Sequence, residues 1–211
     1  GETGASITFT DTKDAINAAL RNMTYSPNAD YHGEDVLKIE VHDDEATGEG
    51  RAFDGVDFDG TDDLITVGSG IDLADKSFTL SIWTKMDGMG KAISQDDLSI
   101  GYNVDGSFSF AFAGSDLSTD VYTDTGTWHN WTVTYDAVDS TRIIYRDGVE
   151  VARDTTASKY QGSGEMSLGE GFQGTLDEAR VYGRLITAEE VDELYNGIAR
   201  NNNELSLYLP M

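Results

Sequence analysis

The chain has 211 residues, enough for one large domain or two small ones, and its 38% hydrophobic and 10% aromatic residues suffice for a packed core. Asp and Glu total 39 against 14 Lys and Arg, and the resulting net charge of −25 repels nucleic acid and anionic membranes. Cysteine is absent, so disulfides and thiolate chemistry are both out of reach, and no apolar run approaches the ~18 residues that a spanning helix needs.

Two causes fit so large a charge: divalent cations gathered by clustered carboxylates, or solubility in a salty medium that screens the repulsion. Glycine counts 23 and proline 2, and Gly-Asp and Gly-Thr turns with little helical pattern predict an all-β fold. Taken in chain order, Ile7 to Thr10 is β-prone. Ile16, Ala19, Leu20 and Met23 then recur at helical spacing, which predicts one short helix over 12–22 with Asp11 as N-cap. A turn follows at Ser26 to Asp30, and Leu37, Ile39 and Val41 alternate with Lys38 and Glu40 as a half-buried strand.

The stretch "INAALRNMTYSPNADYHGEDVLKIEV" resembles the C-terminal half of the cadherin-like repeats of giant bacterial adhesins of the RTX type. Residues 1–44 are thus expected to be a partial cadherin-like segment, small for an independent fold, in a piece of a longer secreted chain. Residues 45–51, "EATGEGR", read as a linker.

From residue 52 to about 200 short strands alternate with turn signals. Phe53, Val56 and Phe58 open the series, and Leu64, Ile65 and Val67 follow. Phe78, Leu80 and Ile82 are in phase, as are Phe108, Phe110 and Phe112, and Trp131, Val133 and Tyr135. Ile143 and Tyr145 lead into Asp147-Gly148, a hairpin signal, and Val149 and Val151 come after it. Thr187 and Glu190 spell a capping box ahead of a helix with Val191, Leu194 and Tyr195 on one face. The strand spacing predicts an antiparallel two-sheet jelly-roll sandwich.

The motifs "FDGTDDLITVG", "SFTLSIWTK", "GTWHNWTVTYD", "IIYRDGVEVA" and "FQGTLDEARVYGRLITAEEVDELY" make this segment similar to the laminin G-like jelly rolls of the concanavalin A-like lectin/glucanase superfamily. The resemblance implies binding of a glycan, peptide or protein, often with calcium. Such domains usually begin with a strand ahead of the "FDG" motif, and nothing of that kind precedes Phe53. Residues 201–211 end in "ELSLYLPM", where Leu205, Leu207 and Leu209 alternate. Either this strand fills the missing slot beside 177–182, or it opens a following repeat.

The acidic clusters are the strongest chemical signal, because Ca2+ takes six to eight oxygens from carboxylates, carbonyls and water. Asp59, Asp62 and Asp63 surround Gly60, and in similar jelly rolls the strand bearing Asp177 and Glu178 runs nearby, so these five are candidate calcium ligands. The alternative is that they are exposed loop acids, with Asp177 and Glu178 paired to Arg180 or Arg184. Asn28, Asp30, Asp43 and Asp44 form a second candidate set, by resemblance to the calcium-stiffened junctions of cadherin-like repeats; their alternative is turn chemistry.

Ligand contacts are expected on rim loops at 87–97, 113–122 and 155–164. Asp96, Asp97 and Asp116 are the acidic candidates there, and Tyr102, Tyr122, Tyr160 and Phe172 the stacking candidates. Trp128 and Trp131 are expected in the core, and Trp83, out of phase with its apolar neighbours, faces either the opposite side of its sheet or a binding surface. His32, His42 and His129 have no zinc-like spacing and read as solvated or packed. No Glu-x-Asp-x-x-Glu pair, nucleophile elbow or phosphate loop occurs, so catalysis is not expected.

The expected function is a calcium-dependent binding module of a secreted bacterial adhesin, located at the cell surface. It would recognise a glycan or peptide on a host or neighbouring cell, flanked by other domains of the same chain, without touching nucleic acid or entering a membrane. A ligand-free structural spacer and a polysaccharide hydrolase are the competing readings.

Overall fold

The computed structural model describes residues 55–68, 71–197 and 202–211. The cadherin-like segment, the linker and Phe53 lie outside these residues. In chain order the strands are β1 (Val56–Asp59), β2 (Ile65–Gly68), β3 (Phe78–Met86), β4 (Gly90–Gln95), β5 (Leu98–Tyr102), β6 (Ser107–Phe112) and β7 (Ser115–Val121). They continue as β8 (Trp128–Tyr135), β9 (Thr141–Arg146), β10 (Val149–Thr155), β11 (Met166–Leu168) and β12 (Gln173–Tyr182). Helix α1 (Ala188–Tyr195) and β13 (Leu205–Leu209) complete the described elements.

The strands form two antiparallel sheets packed as a jelly-roll sandwich. One sheet runs β1-β12-β3-β8-β9-β10, with β13 also paired to β12, and the other runs β2-β11-β4-β5-β6-β7. Alternation along each strand sends one set of side chains into the gap between the sheets. Phe78, Leu80 and Ile82 enter it from β3, Trp131, Val133 and Tyr135 from β8, and Phe108, Phe110 and Phe112 from β6. Trp131 and Phe108 stack across the gap with centroids 4.0 Å apart, and Phe78 touches the rings of Phe110, Tyr135 and Tyr160.

A buried cation ties the sheets together at one end of this layer. The Arg142 side chain is fully buried and its guanidinium lies 5.1 Å from the Phe112 ring centre. It donates to the carbonyls of Phe110 and Ser115 on the opposite sheet and to both carboxylate oxygens of Asp154. Its charge is tolerable in the core because its donors find partners.

The seven-stranded sheet is buried on both faces at β3, where the sequence pattern suggests a strand wet on one side. Thr79, Ser81 and Trp83 are as buried as the residues of the inner phase. The reason is α1, which Thr187 and Glu190 cap reciprocally. Its Val191 and Leu194 pack with Tyr145, Tyr182 and Ile186, and Tyr195 stacks on Trp83 at 5.7 Å. The polar residues trapped there bond to one another. Thr132 Oγ1 donates to Asn130 Oδ1 at 3.0 Å, and the Thr79 hydroxyl donates to the Arg184 carbonyl at 2.9 Å.

Strand β12 has one long partner in β3 and two short ones on its other edge. β1 covers Gln173–Leu176 and β13 covers Ala179–Tyr182. Asp177 and Glu178 fall at the junction, where Glu178 adopts φ 54° and the register shifts. Asp177 Oδ1 accepts from the Glu178 and Met211 amides, and the Tyr208 hydroxyl donates to Glu178 Oε1 at 2.9 Å. Arg180 pairs with Glu178 and lies 4.3 Å from the Tyr208 ring centre. Half-buried Leu207 and Leu209 pack on the main core.

Removing residues 204–211 is therefore expected to expose the β12 edge and lower Tm by about 5–10 °C, from roughly 1–2 kcal/mol for each leucine. Differential scanning calorimetry of the truncated and full chains measures this, and an unchanged Tm would show that β13 does not stabilise the sandwich.

Candidate functional site

The two outer faces of the sandwich differ. Helix α1 covers one of them, while among the described residues nothing packs over the outer face of β4 to β7, where β5 and β6 carry the smallest side chains of their strands. Where β5 and β6 send Ile100, Tyr102, Phe108, Phe110 and Phe112 inward, they send Ser99, Gly101, Ser109 and Ala111 outward. Pairing register joins Thr66, Ser167, Ser94, Ser99, Ala111 and Asp116 into one row that crosses all the strands of the six-stranded sheet.

A groove of about 620 Å³ lies over the β4–β7 half of this face. Ser99, Gly101, Ser109 and Ala111 form its floor, and Asp116 stands at its β7 side. Met89, Lys91 and Glu170 line it on the β4 side, and Asn103, Val104 and Asp105 of the β5–β6 turn line it as well. The Met89 and Val104 side chains are exposed apolar surface.

Local chemistry holds these lining residues. Lys91 Nζ reaches both Glu170 oxygens at 3.0 Å, and Ser94 Oγ donates to Glu170 Oε2 at 3.0 Å. These bonds, the Lys91 contact foremost, hold the Glu170 carboxyl below its ordinary pKa. Asp105 accepts from the hydroxyl and amide of Ser107, which lowers its pKa and fixes the β5–β6 turn. Ser109 Oγ and Asn103 Oδ1 lie 3.3 Å apart, so the floor and the turn share a polar network. Gly101 is demanded by close approach, because a Cβ there would sit 2.1 Å from the Gly90 carbonyl oxygen.

Tyr102 borders the groove, but its side chain turns into the core. Its hydroxyl accepts from Trp131 Nε1 at 2.6 Å and lies 3.0 Å from Thr84 Oγ1, and its ring meets Phe108, Trp131 and Phe172. Burial pushes its pKa up to about 12. The stacking role expected of Tyr102 is corrected accordingly, because its ring faces away from solvent. The same holds for Tyr160 and Phe172, which are 0% exposed. Tyr122 is half-buried, with the Arg146 guanidinium 4.0 Å from its ring centre.

The remaining expected ligand contacts divide. Asp116 lines the groove. Asp96 accepts from the Ser163 and Gly164 amides, and Asp97 from the Ala113 amide, so both anchor neighbouring loops. Segments expected as loops at 87–97 and 113–122 contain β4 and β7. β7 escapes detection because Leu117 alone among its residues is fully buried.

The proposed calcium set is not assembled. Asp59 pairs in register with Gln173, which puts Asp177 four residues further along β12, about 13 Å away. Asp59 and Asp63 serve their own turn, accepting from the Thr61 and Asp59 amides respectively. Asp62 is exposed in the same turn. Asp177 and Glu178 are engaged with β13 and Arg180. Among the described residues no group of three or more His, Asp or Glu side chains is placed to share a metal ion. Asn28, Asp30, Asp43 and Asp44 lie outside the described residues.

Trp131 is core, whereas Trp128 is only half-buried, with Lys85 Nζ 5.7 Å from its ring centre. Trp83 faces the outer side of its sheet, where Tyr195 covers it. His129 lies between Asp147, 2.7 Å from Nδ1, and Asp124, 3.1 Å from Nε2.

A laminin G-type family model of the concanavalin A-like lectin/glucanases superfamily matches residues 59–192, well over half of the chain. The chain belongs to this superfamily. No curated protein matches it. Among solved structures this superfamily member is similar to a Bacteroides ovatus protein provisionally described as carbohydrate-binding, at 18% identity and TM-score 0.58 over 70% of this chain and 48% of that one. It therefore spans about half the length of that protein. It is similar to domain 4 of an extracellular arabinanase from Geobacillus stearothermophilus, solved with arabinotriose, at 19% identity and TM-score 0.54 over 66% of this chain and 75% of that one. It is also similar to the heptameric pentraxin of Limulus polyphemus, at 18% identity and TM-score 0.53 over 74% of this chain and 90% of that one. At these identities the likeness is one of fold, and the fold is lectin-like.

Tyr102→Phe strands the buried Trp131 Nε1 and should cost about 1–3 kcal/mol in urea unfolding; a loss within error would show that the network does not hold the floor. Because the folded pKa of Glu170 is depressed, its pairing with Lys91 persists above the ordinary value near 4.3 and is lost as pH falls through the lowered one. A carboxyl ¹³C titration should place its midpoint below that of an ordinary exposed glutamate, and Lys91→Met should move the midpoint back up.

Proposed function

We propose that the chain is a non-catalytic carbohydrate-binding module, and that the β4–β7 groove is its binding surface. The observation that carries this reading is the outer face of β4 to β7, left uncovered by the described residues, with small and hydroxyl-bearing floor residues beside charged and apolar ones. Hydroxyls, an amide and carboxylates can exchange hydrogen bonds with sugar hydroxyls, and Met89 and Val104 can cover the apolar faces of a ring. The lectin-like fold supports it, as do the carbohydrate-binding description of the Bacteroides ovatus protein and the arabinotriose in the arabinanase domain.

Binding rather than hydrolysis is favoured by the spacing of the acids. Glu170 is held at β4 by Lys91 and Ser94, while Asp116 is on β7, three strand steps or about 14 Å away. Glycoside hydrolysis uses two carboxyl groups about 5–9.5 Å apart. The anionic, cysteine-free composition and the resemblance of the N-terminal segment to adhesin repeats favour an extracellular setting in a surface-attachment protein. No described helix is long and apolar enough to cross a membrane.

A glycan array followed by isothermal titration calorimetry tests the reading. An oligosaccharide ligand is expected, and replacing Ser109 and Ala111 together by Met should weaken it at least about tenfold while leaving Tm nearly unchanged, since both side chains point away from the core. Absence of any glycan ligand, or unchanged affinity in the double variant, would overturn it.

A further inference from the structure

The groove's charge inventory bears on which glycans it accepts. Among the described residues its lining includes Asp105, Asp116 and Glu170 against one cation, Lys91. That cation is already spent, since both oxygens of Glu170 lie at hydrogen-bond distance from its Nζ. Recognition of a carboxylate or sulfate favours a bidentate arginine, and among the described residues the groove has none.

Nor is one available to swing in from elsewhere on the described surface. Arg142 is committed to Asp154, Arg146 to Asp124, Arg153 to Glu150, Arg180 to Glu178 and Arg184 to Glu190. These are all of the described arginines. The whole chain adds a field of net charge −25, which disfavours the approach of any anion at low salt.

We infer that the groove selects neutral glycan segments and discriminates against sialylated, uronic-acid and sulfated ones. The inference rests on the carbohydrate-binding reading and deepens it. Neutral sugars offer hydroxyl donors to Asp105, Asp116 and Glu170 and accept from Ser99, Ser109 and Asn103. An anionic sugar in the same place would set its charge against Asp105 and Asp116, with the one described cation of the groove already paired to Glu170.

The test uses the full chain and matched oligosaccharide pairs that differ by one sialic acid, uronic acid or sulfate, titrated at about 10 mM and about 150 mM salt. The neutral member should bind at least about tenfold more tightly at low salt, with the gap narrowing at the higher salt. Asp116→Asn should narrow it as well, by removing a carboxylate from the groove. Equal or tighter binding of the charged member at low salt would overturn the selectivity while leaving carbohydrate binding intact. Failure of both members to bind would instead remove the carbohydrate-binding reading, and this inference with it.

Discussion

The structure depends on a layer of aromatic rings between two sheets. Trp131 and Phe108 stack face to face, Tyr102 joins them edge-on, and its hydroxyl satisfies the indole N–H that burial would otherwise orphan. Because strands alternate with a period of two, committing Ile100, Tyr102, Phe108, Phe110 and Phe112 to this layer forces the intervening positions outward. Those positions are Ser99, Gly101, Ser109 and Ala111, so a recess opens directly behind the densest part of the core. The groove is the reverse side of the aromatic packing, and the same residues account for both.

The two sheets are finished differently. On the seven-stranded sheet, α1 and its Tyr195 turn an outer face into a second core, with hydroxyls and amides paired among themselves. On the six-stranded sheet no described helix does this over β4 to β7, and large side chains on β5 and β6 there would have filled the recess. Arg142 reaches from one sheet to carbonyls of the other, so the relative position of groove and core is held by charge-assisted bonds as well as by rings.

The abundant acids also act locally. Many of the described ones serve as acceptors for backbone amides in turns, as Asp96, Asp97, Asp105, Asp136 and Asp139 do. Others pair with arginine, and Asp177 and Glu178 hold the C-terminal strand in place. An acid-rich sequence thus builds much of its loop structure from carboxylates, and among the described residues they do not converge as a calcium site requires.

The sandwich was legible in the sequence because its signals are local: phase along a strand, Gly in a turn, a capping box ahead of an apolar stripe. Phe78, Leu80 and Ile82, the Asp147-Gly148 hairpin and the Thr187–Glu190 cap all follow from neighbours a few residues away. The groove was legible only in part. Asp116 lies in it, but Lys91 and Glu170 are 79 residues apart and meet only when β11 returns beside β4. Tyr102, Tyr160 and Phe172 looked like surface aromatics because composition cannot say which side of a sheet is wet. By itself the sequence determined the strands of the seven-stranded sheet together with β2 and β6, the inward phase of β3, β6 and β8, and the superfamily, but not β4, β5, β7 or β11. Tertiary structure decided which outer face the helix covers, which acids are consumed in holding strands, and where an open surface remains, since each depends on contacts between residues far apart in the chain.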